Sequence, residues 1–359
     1  MKICFIVGAY PTMKCGVGDY TSVLAEELAK KGNEVHVITS KRADSSKSKN
    51  VIIHNIVEVW KLKAIPSIIK ELKKIQPDVV NIQYPSDEYY RRCVSLLPPI
   101  IKDIIRCKVT ITIHEYDYFN MKEKKSLRDK IRLYLNFYKL DKIITVEEKF
   151  IERIKADYSK ADIVHIPISS NIPKSQASID EINKIKSKFG LEGKRVLSYF
   201  GFAVPVKGIE YLLRCMPKLD EDIRLLFINE LNPENEYHKT LLNLIEDLKI
   251  KDKVIITGFY DDAKDIADML SASNICVLPF VNGLKTSNGS FLAAYNQNIR
   301  VITTSKSNEK DDNGIYYVKP EKEEELLEKI KFALDDKTEF ERQALTWDSV
   351  TEEFLNVFK

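Results

Sequence analysis

A chain of 359 residues is long for one hydrophobic core and comfortable for two domains of about 100–200 residues each. Its 44% hydrophobic and 30% charged residues are ordinary for a globular protein and exclude a low-complexity chain. No apolar stretch approaches the roughly 20 residues of a membrane span, and the opening run Met1–Val7 lacks a signal-peptide cleavage pattern, so it reads as a first strand.

Apolar runs at 2–7, 34–39, 51–56, 78–82, 107–113, 141–145, 162–166, 195–201, 223–228, 253–257, 274–278, 299–303 and 315–318 predict strands. Many are continuous Val/Ile/Leu, as in strands buried on both faces. Amphipathic stretches between them, such as 20–31, 65–75, 209–217 and 237–248, predict helices. That alternation implies parallel βαβ units in doubly wound sheets. A polar, proline-containing stretch after Ile168 separates two such sheets. The expected division is a first domain at 1–168, a linker at 169–190, a second domain at 191–339 and a closing helix at 340–359. Two such domains facing one another would make a cleft at the carboxyl ends of both sheets.

The net charge of +3 divides unevenly, with +10 in residues 1–175 and −7 in the remainder. A basic half suggests an anionic partner. Six cysteines are scattered with no C-x-x-C pair, and five histidines are dispersed. The thiols read as small core residues, no zinc site is visible, and the expected compartment is reducing and cytoplasmic.

Several motifs carry chemistry. CGVGDY (15–20) follows the first strand and opens a helix. Gly16 and Gly18 are expected to let the backbone bend sharply and approach a ligand at a helix N-terminus. The third glycine of a dinucleotide fingerprint is missing, which argues against NAD. SYFGFAVPVKGI (198–209) is the matching turn of the second half. There Lys207 and Gly208 at a helix start suit a diphosphate. His114 and Glu115 end a buried strand, the edge expected to face a cleft. Residues 122–138 form a basic amphipathic stretch with aromatics, suited to an anionic membrane surface. Asp220-Glu221-Asp222 matches a metal motif literally but precedes its strand and reads as a surface loop. A P-loop is absent.

In this order and spacing the pieces resemble the GT-B glycosyltransferases, and among them the retaining, nucleotide-sugar-dependent enzymes of family four. The residues that carry the resemblance are GVG (16–18), EVHVIT (34–39), PDVVN (77–81), His114, DKIITV (141–146), HIP (165–167), Lys207-Gly208, KVIITG (253–258), SASNICVLP (271–279) and Thr346-Trp347. The resemblance implies two Rossmann-like domains, the first binding the acceptor and the second the sugar nucleotide, with the last helix packed back on the first. It implies no metal and no cofactor beyond the nucleotide-sugar substrate. His114 and Lys207 take catalytic places. Gly16, Gly18, Gly201, Lys207, Gly208, Lys285, Ser287, Asn288, Gly289 and Ser290 take donor-binding ones, and Asp19, Tyr20, Glu115 and Tyr116 take acceptor-binding ones.

The chain departs from the family pattern at three places. Two family glutamates fall on Lys285 and Ala293, and an arginine of the family's cation pair falls on Phe202. Three readings follow. The first is a transferase with a rebuilt donor turn. The others are a degenerate partner subunit and a nucleotide-sugar epimerase. The first reading implies a glycan or lipid-linked acceptor in surface polysaccharide or glycoconjugate assembly, peripheral contact with an anionic inner membrane face, and no nucleic acid.

Overall fold

The computed structural model describes residues 1–13, 15–44, 50–85, 89, 91–116, 127–343 and 345–359. Two compact units emerge, residues 1–169 together with 345–359, and residues 170–344.

The first unit alternates strands and helices: Lys2–Ile6 (β1), Gly16–Lys30 (α1), Glu34–Ser40 (β2), Val51–Val57 (β3), Ile65–Ile75 (α2), Val79–Tyr84 (β4), Arg91–Ile104 (α3), Lys108–Ile113 (β5), Leu127–Phe137 (α4), Lys142–Thr145 (β6), Phe150–Asp157 (α5) and Ile163–His165 (β7). The strands form one parallel sheet in the order β3-β2-β1-β4-β5-β6-β7. Every residue of β4 is buried, because helices cover both faces of a parallel sheet. On α2 the buried residues Ile68, Ile69, Leu72 and Ile75 follow the helical period, and Gln76 ends the helix in the left-handed conformation.

The second unit runs Ile179–Lys188 (α6), Arg195–Phe200 (β8), Ile209–Cys215 (α7), Ile223–Ile228 (β9), Glu236–Asp247 (α8), Val254–Ile256 (β10), Ala263–Ser271 (α9), Ile275–Leu278 (β11), Gly289–Asn296 (α10), Arg300–Thr304 (β12), Ile315–Val318 (β13) and Glu323–Asp335 (α11). Its parallel sheet has the order β10-β9-β8-β11-β12-β13. The chain's last helix, Trp347–Phe358 (α12), returns to the first unit. There Phe358 meets Phe5 with ring centroids 6.3 Å apart, and Lys31 on the end of α1 pairs with Asp348 and Glu352.

All thirteen expected strands form, with ends shifted by at most two residues. Two segments differ from expectation. Residues 170–190, read as linker, belong to the second unit and carry α6, capped by a reciprocal Ser178–Glu181 box. The closing helix begins at Trp347 rather than 340, with the Thr346 hydroxyl accepting the Ser349 N–H as its cap. Before it, Arg342 is buried in the second unit and donates to the carbonyls of Ile299 and Asn313, which ties this segment to that unit.

Four of the cysteines, Cys4, Cys107, Cys215 and Cys276, are buried. Burial holds the thiols of Cys215 and Cys276 up at about 12, so they behave as inert core residues. Among the described residues no helix is long and apolar enough to cross a membrane.

Candidate active site

In the second unit the strand order reverses between β8 and β11. From β8 the sheet runs outward through β9 and β10, and from β11 through β12 and β13. Loops leaving the carboxyl ends of such neighbours diverge and open a crevice that suits a ligand. The turn at 201–208 leaves β8 and the turn at 279–289 leaves β11.

Side chains fix the first turn. Asn229 donates to the Gly201 carbonyl at 2.8 Å, the Tyr199 hydroxyl to that of Phe202 at 3.0 Å, and His238 Nε2 to that of Ala203 at 3.0 Å. His238 Nδ1 accepts the Asn232 N–H at 2.9 Å, which places its proton on Nε2. Three successive carbonyls are therefore held by side chains. Tyr199, Asn229 and His238 escaped sequence reading. Asn229, just past the neighbouring strand, carried a positional signal; His238 on α8 carried none.

The two turns meet. The Val281 N–H donates to the Val206 carbonyl at 3.1 Å. Gly208, at φ 65°, passes so close to Pro279 that a Cβ would lie 2.2 Å from its carbonyl oxygen. Gly201, at φ 133°, abuts Ser290, whose buried hydroxyl has no hydrogen-bond partner among the described residues. The Lys207 ammonium lies 4.7 Å from the Phe280 ring centroid. Burial lowers its pKa, and among the described residues no carboxylate pairs with it. A partly desolvated cation without a counter-charge favours an anionic ligand.

In the second turn Asn288 is the N-cap residue of α10, yet its side chain accepts the Lys285 N–H at 2.7 Å instead of capping. Lys285 and Ser287 are half-buried there, and Gly289 is exposed at the first helical position. Ala293 is fully buried in the core. The ribose contact that the family places at this position cannot come from Ala293.

The first unit reverses between β1 and β4. Gly16 and Gly18 both lie inside α1 and neither has positive φ, so the expected sharp bend is absent. Gly18 is needed for close approach instead, since a Cβ there would lie 2.6 Å from the Ala9 carbonyl oxygen, whereas Gly16 meets open space. His114, after β5, donates from Nε2 to Gln83 Oε1 at 2.7 Å, and Tyr20 packs edge-on against its ring at 4.8 Å. Burial drives the His114 pKa down to about 3.

Tyr20 and Tyr116, expected on the acceptor, are both core residues. Tyr20 is buried between His114 and Trp347. Tyr116 is buried against Phe150 and donates its hydroxyl to Asp157 at 2.7 Å. Glu115 beside it is half-buried.

Asp19 is half-buried, and burial raises its pKa to about 6. A raised carboxylate pKa favours the protonated native state, so the stability it contributes is present below the unfolded value near 4 and is lost as pH rises through about 6. Asp19→Asn is expected to remove that loss. The variant should match the parent at pH 4 and exceed it at pH 8 by on the order of 1 kcal/mol, discounted for partial exposure and for the favourable start of α1. Denaturant melts at the two pH values check this; equal differences at both would exclude it.

Asp220 and Asp222 both pair with Arg195, at 2.6 and 2.8 Å, which accounts for the literal metal motif. Among the described residues no group of three or more His, Cys, Asp and Glu could hold a metal ion. A cavity of about 770 Å³ lies among Asn274, Asn298, Arg300 and Phe340. It sits at the amino ends of β11 and β12, away from both turns.

Residues 2–147 match the family described as glycosyl transferase 4-like, and residues 194–336 match glycosyl transferases group 1. A curated relative is the N-acetyl-alpha-D-glucosaminyl L-malate synthase of Bacillus anthracis, 21% identical over 296 residues, covering 77% of this chain and 73% of that protein. Among solved structures, HepE of Anabaena in complex with UDP and glucose superposes with a TM-score of 0.71 at 15% identity, covering 100% of this chain and 95% of its own. The sucrose-phosphate synthase of Thermosynechococcus elongatus gives 0.71 at 16% identity, covering 99% and 94%. With both parallel-sheet units matched to such models and the fold shared with these enzymes, the chain belongs to the GT-B glycosyltransferases of group 1.

Proposed function

We propose that this glycosyltransferase moves a sugar from a nucleotide-sugar donor to a glycan or lipid-linked acceptor with retention of configuration, in surface polysaccharide or glycoconjugate assembly. The observation that carries this reading is Lys207, a partly buried cation without a carboxylate partner among the described residues, at the switch point of the second sheet. Ser290 and Gly201, which meet across the same two turns, offer a hydroxyl and close backbone approach. HepE, of the same fold, is described in complex with UDP and glucose, which supports a sugar nucleotide here.

In this reading the bond from the sugar carbon to the diphosphate oxygen breaks, and negative charge grows on the leaving group. Lys207 and main-chain N–H groups stabilise that charge without a metal. The acceptor hydroxyl bonds to the same face of the sugar carbon, and its proton passes to the departing phosphate oxygen. His114 is too weak a base near neutral pH to take that proton, so its part is orientation. Asp19 and Glu115 remain the acceptor-side candidates in the first unit. Thermal-shift screening over sugar nucleotides, followed by nucleoside diphosphate release with a glycan acceptor, tests the reading. No binding of any sugar nucleotide by calorimetry would sink it and favour the partner-subunit alternative.

The membrane contact rests on α4. Leu127, Ile131, Tyr134 and Tyr138 are exposed at helical spacing along one stripe, and Arg128, Lys130 and Arg132 interleave with them in sequence. Residues 122–126 of the expected basic stretch lie outside the described residues. An apolar stripe with interleaved cations suits an anionic lipid surface at the inner face of the plasma membrane. Flotation with anionic vesicles should recover the protein at low salt and lose it on Leu127→Glu with Ile131→Glu; equal recovery with neutral vesicles would count against it.

A further inference from the structure

Behind His114 runs a chain of polar side chains that an apolar parallel sheet has no packing reason to hold. Asn81 and Gln83 on β4 and Thr110 and Thr112 on β5 are all fully buried. Asn81 Nδ2 donates to Thr110 Oγ1 at 2.9 Å and to Thr112 Oγ1 at 3.0 Å. Thr110 gives its own hydroxyl proton to the Val80 carbonyl at 3.5 Å and so accepts from Asn81, which leaves Asn81 Oδ1 as an acceptor, and Gln83 Nε2 donates to it at 2.6 Å. Thr112 also reaches Asn81 Oδ1, at 3.1 Å.

These bonds fix the Gln83 amide. Turning it over would set its oxygen against Asn81 Oδ1, two acceptors facing one another in a dry interior with no proton between them. Gln83 Oε1 therefore faces His114 Nε2 at 2.7 Å, and an amide oxygen can only accept. His114 must carry its proton on Nε2. Its other nitrogen, Nδ1, has no partner among the described residues. The Tyr20 ring, edge-on at 4.8 Å, holds the imidazole plane. Unlike the four residues behind it, His114 keeps part of its surface exposed.

We propose that Gln83 is a positioning residue for sugar transfer: through Asn81 and the two threonines it locks His114 in the Nε2–H form, so that Nδ1 accepts a hydrogen bond from a substrate hydroxyl. This rests on the reading that His114 belongs to the transfer site. The wrong tautomer would turn an N–H toward that hydroxyl and oblige it to accept rather than donate. A hydroxyl whose proton is drawn to Nδ1 is held with its lone pairs turned elsewhere. Burial keeps the ring neutral, so the arrangement is independent of pH across the neutral range.

Nuclear magnetic resonance of the full chain labelled at its histidines tests the lock without substrate. His114 is expected to show the Nε2–H pattern alone and no titration between pH 5 and 8. A mixed or Nδ1–H pattern, or a titration in that range, would overturn the proposal whatever the enzyme's activity. Gln83→Leu, with Gln83→Met as a second variant that retains length, should let the Nδ1–H form appear. With a donor and acceptor in hand, kcat should fall about tenfold with KM little changed, while donor binding stays as in the parent. Full kcat in a variant whose spectrum shows the lost tautomer would remove Gln83 from the transfer step. Absence of donor binding by the parent would overturn the transferase reading instead and leave the tautomer measurement standing.

Discussion

Replacing Lys207 by alanine is expected to lower nucleoside diphosphate release from the donor by about 10²-fold or more, the size of effect seen when one group stabilising transition-state charge is removed. The loss should fall mainly on kcat, because the diphosphate oxygen gains charge as the bond to the sugar breaks and an ammonium beside it interacts more strongly with that state than with the bound donor. Fold stability should hardly change. The ammonium forms no ion pair among the described residues, and its contact is the face of Phe280. Burial lowers its pKa, which means that the charged form is held at some cost until an anion arrives. Lys207→Arg keeps the charge but spreads it over a planar group that must fit against Phe280, so it should recover only part of the rate. Phe202→Arg makes a second comparison. It places a cation five residues before Lys207, on a turn whose carbonyls are already held by Asn229, Tyr199 and His238. An unchanged rate in Lys207→Ala, measured with saturating donor, would remove this residue from the site.

The strands were legible because helices bury both faces of each sheet, and burial of that kind leaves continuous runs of Val, Ile and Leu such as IRLLFI in β9. α6 was missed for the converse reason. It buries none of its residues fully and leaves Ile179 in solvent; Ile179, Ile182 and Ile185 keep helical spacing but stand among charged neighbours after a polar, proline-containing run, and Ser178 and Glu181, three apart, announced its start. Lys207 and Gly208 were legible because a turn, a cation and a helix start are local in sequence. The side chains that hold the turn come largely from beyond β9 and from α8, far along the chain, and only the fold brings them together. The resemblance placed Tyr20 and Tyr116 on the acceptor together with Asp19 and Glu115, but neighbours on a helix or at a strand end point different ways. Gln83 and Asn81 carried a signal that was present but not used. Polar residues alternating through VVNIQY, in a strand otherwise built for burial, must be hydrogen-bonded to something.

Gly208→Ala is expected to cost about 2–4 kcal/mol of stability, in the range for a strained backbone combined with a forced shift, and to abolish donor binding. Two effects add. At φ 65° an L side chain is strained, which alone costs about 1 kcal/mol. The new methyl would also stand 2.2 Å from the Pro279 carbonyl oxygen, a separation that real Cβ atoms do not show. Relief cannot come from a flexible side chain, because the obstacle is backbone. It would have to come from parting the turn after β8 from the turn after β11, and the Val281 N–H bond to the Val206 carbonyl ties those turns together. Parting them would carry Lys207 away from Phe280 and Gly201 away from Ser290, so the donor site should fail even in protein that remains folded. Gly16→Ala is the control. It also follows the first strand of its sheet, but its φ is ordinary and open space surrounds it, so it should melt within about 0.5 kcal/mol of the parent. Thermal melts of both variants, with donor binding by calorimetry, separate the two glycines. If Gly208→Ala melts and binds like the parent, the turns do not meet at Pro279, and the site must be sought elsewhere along the carboxyl ends of the second sheet.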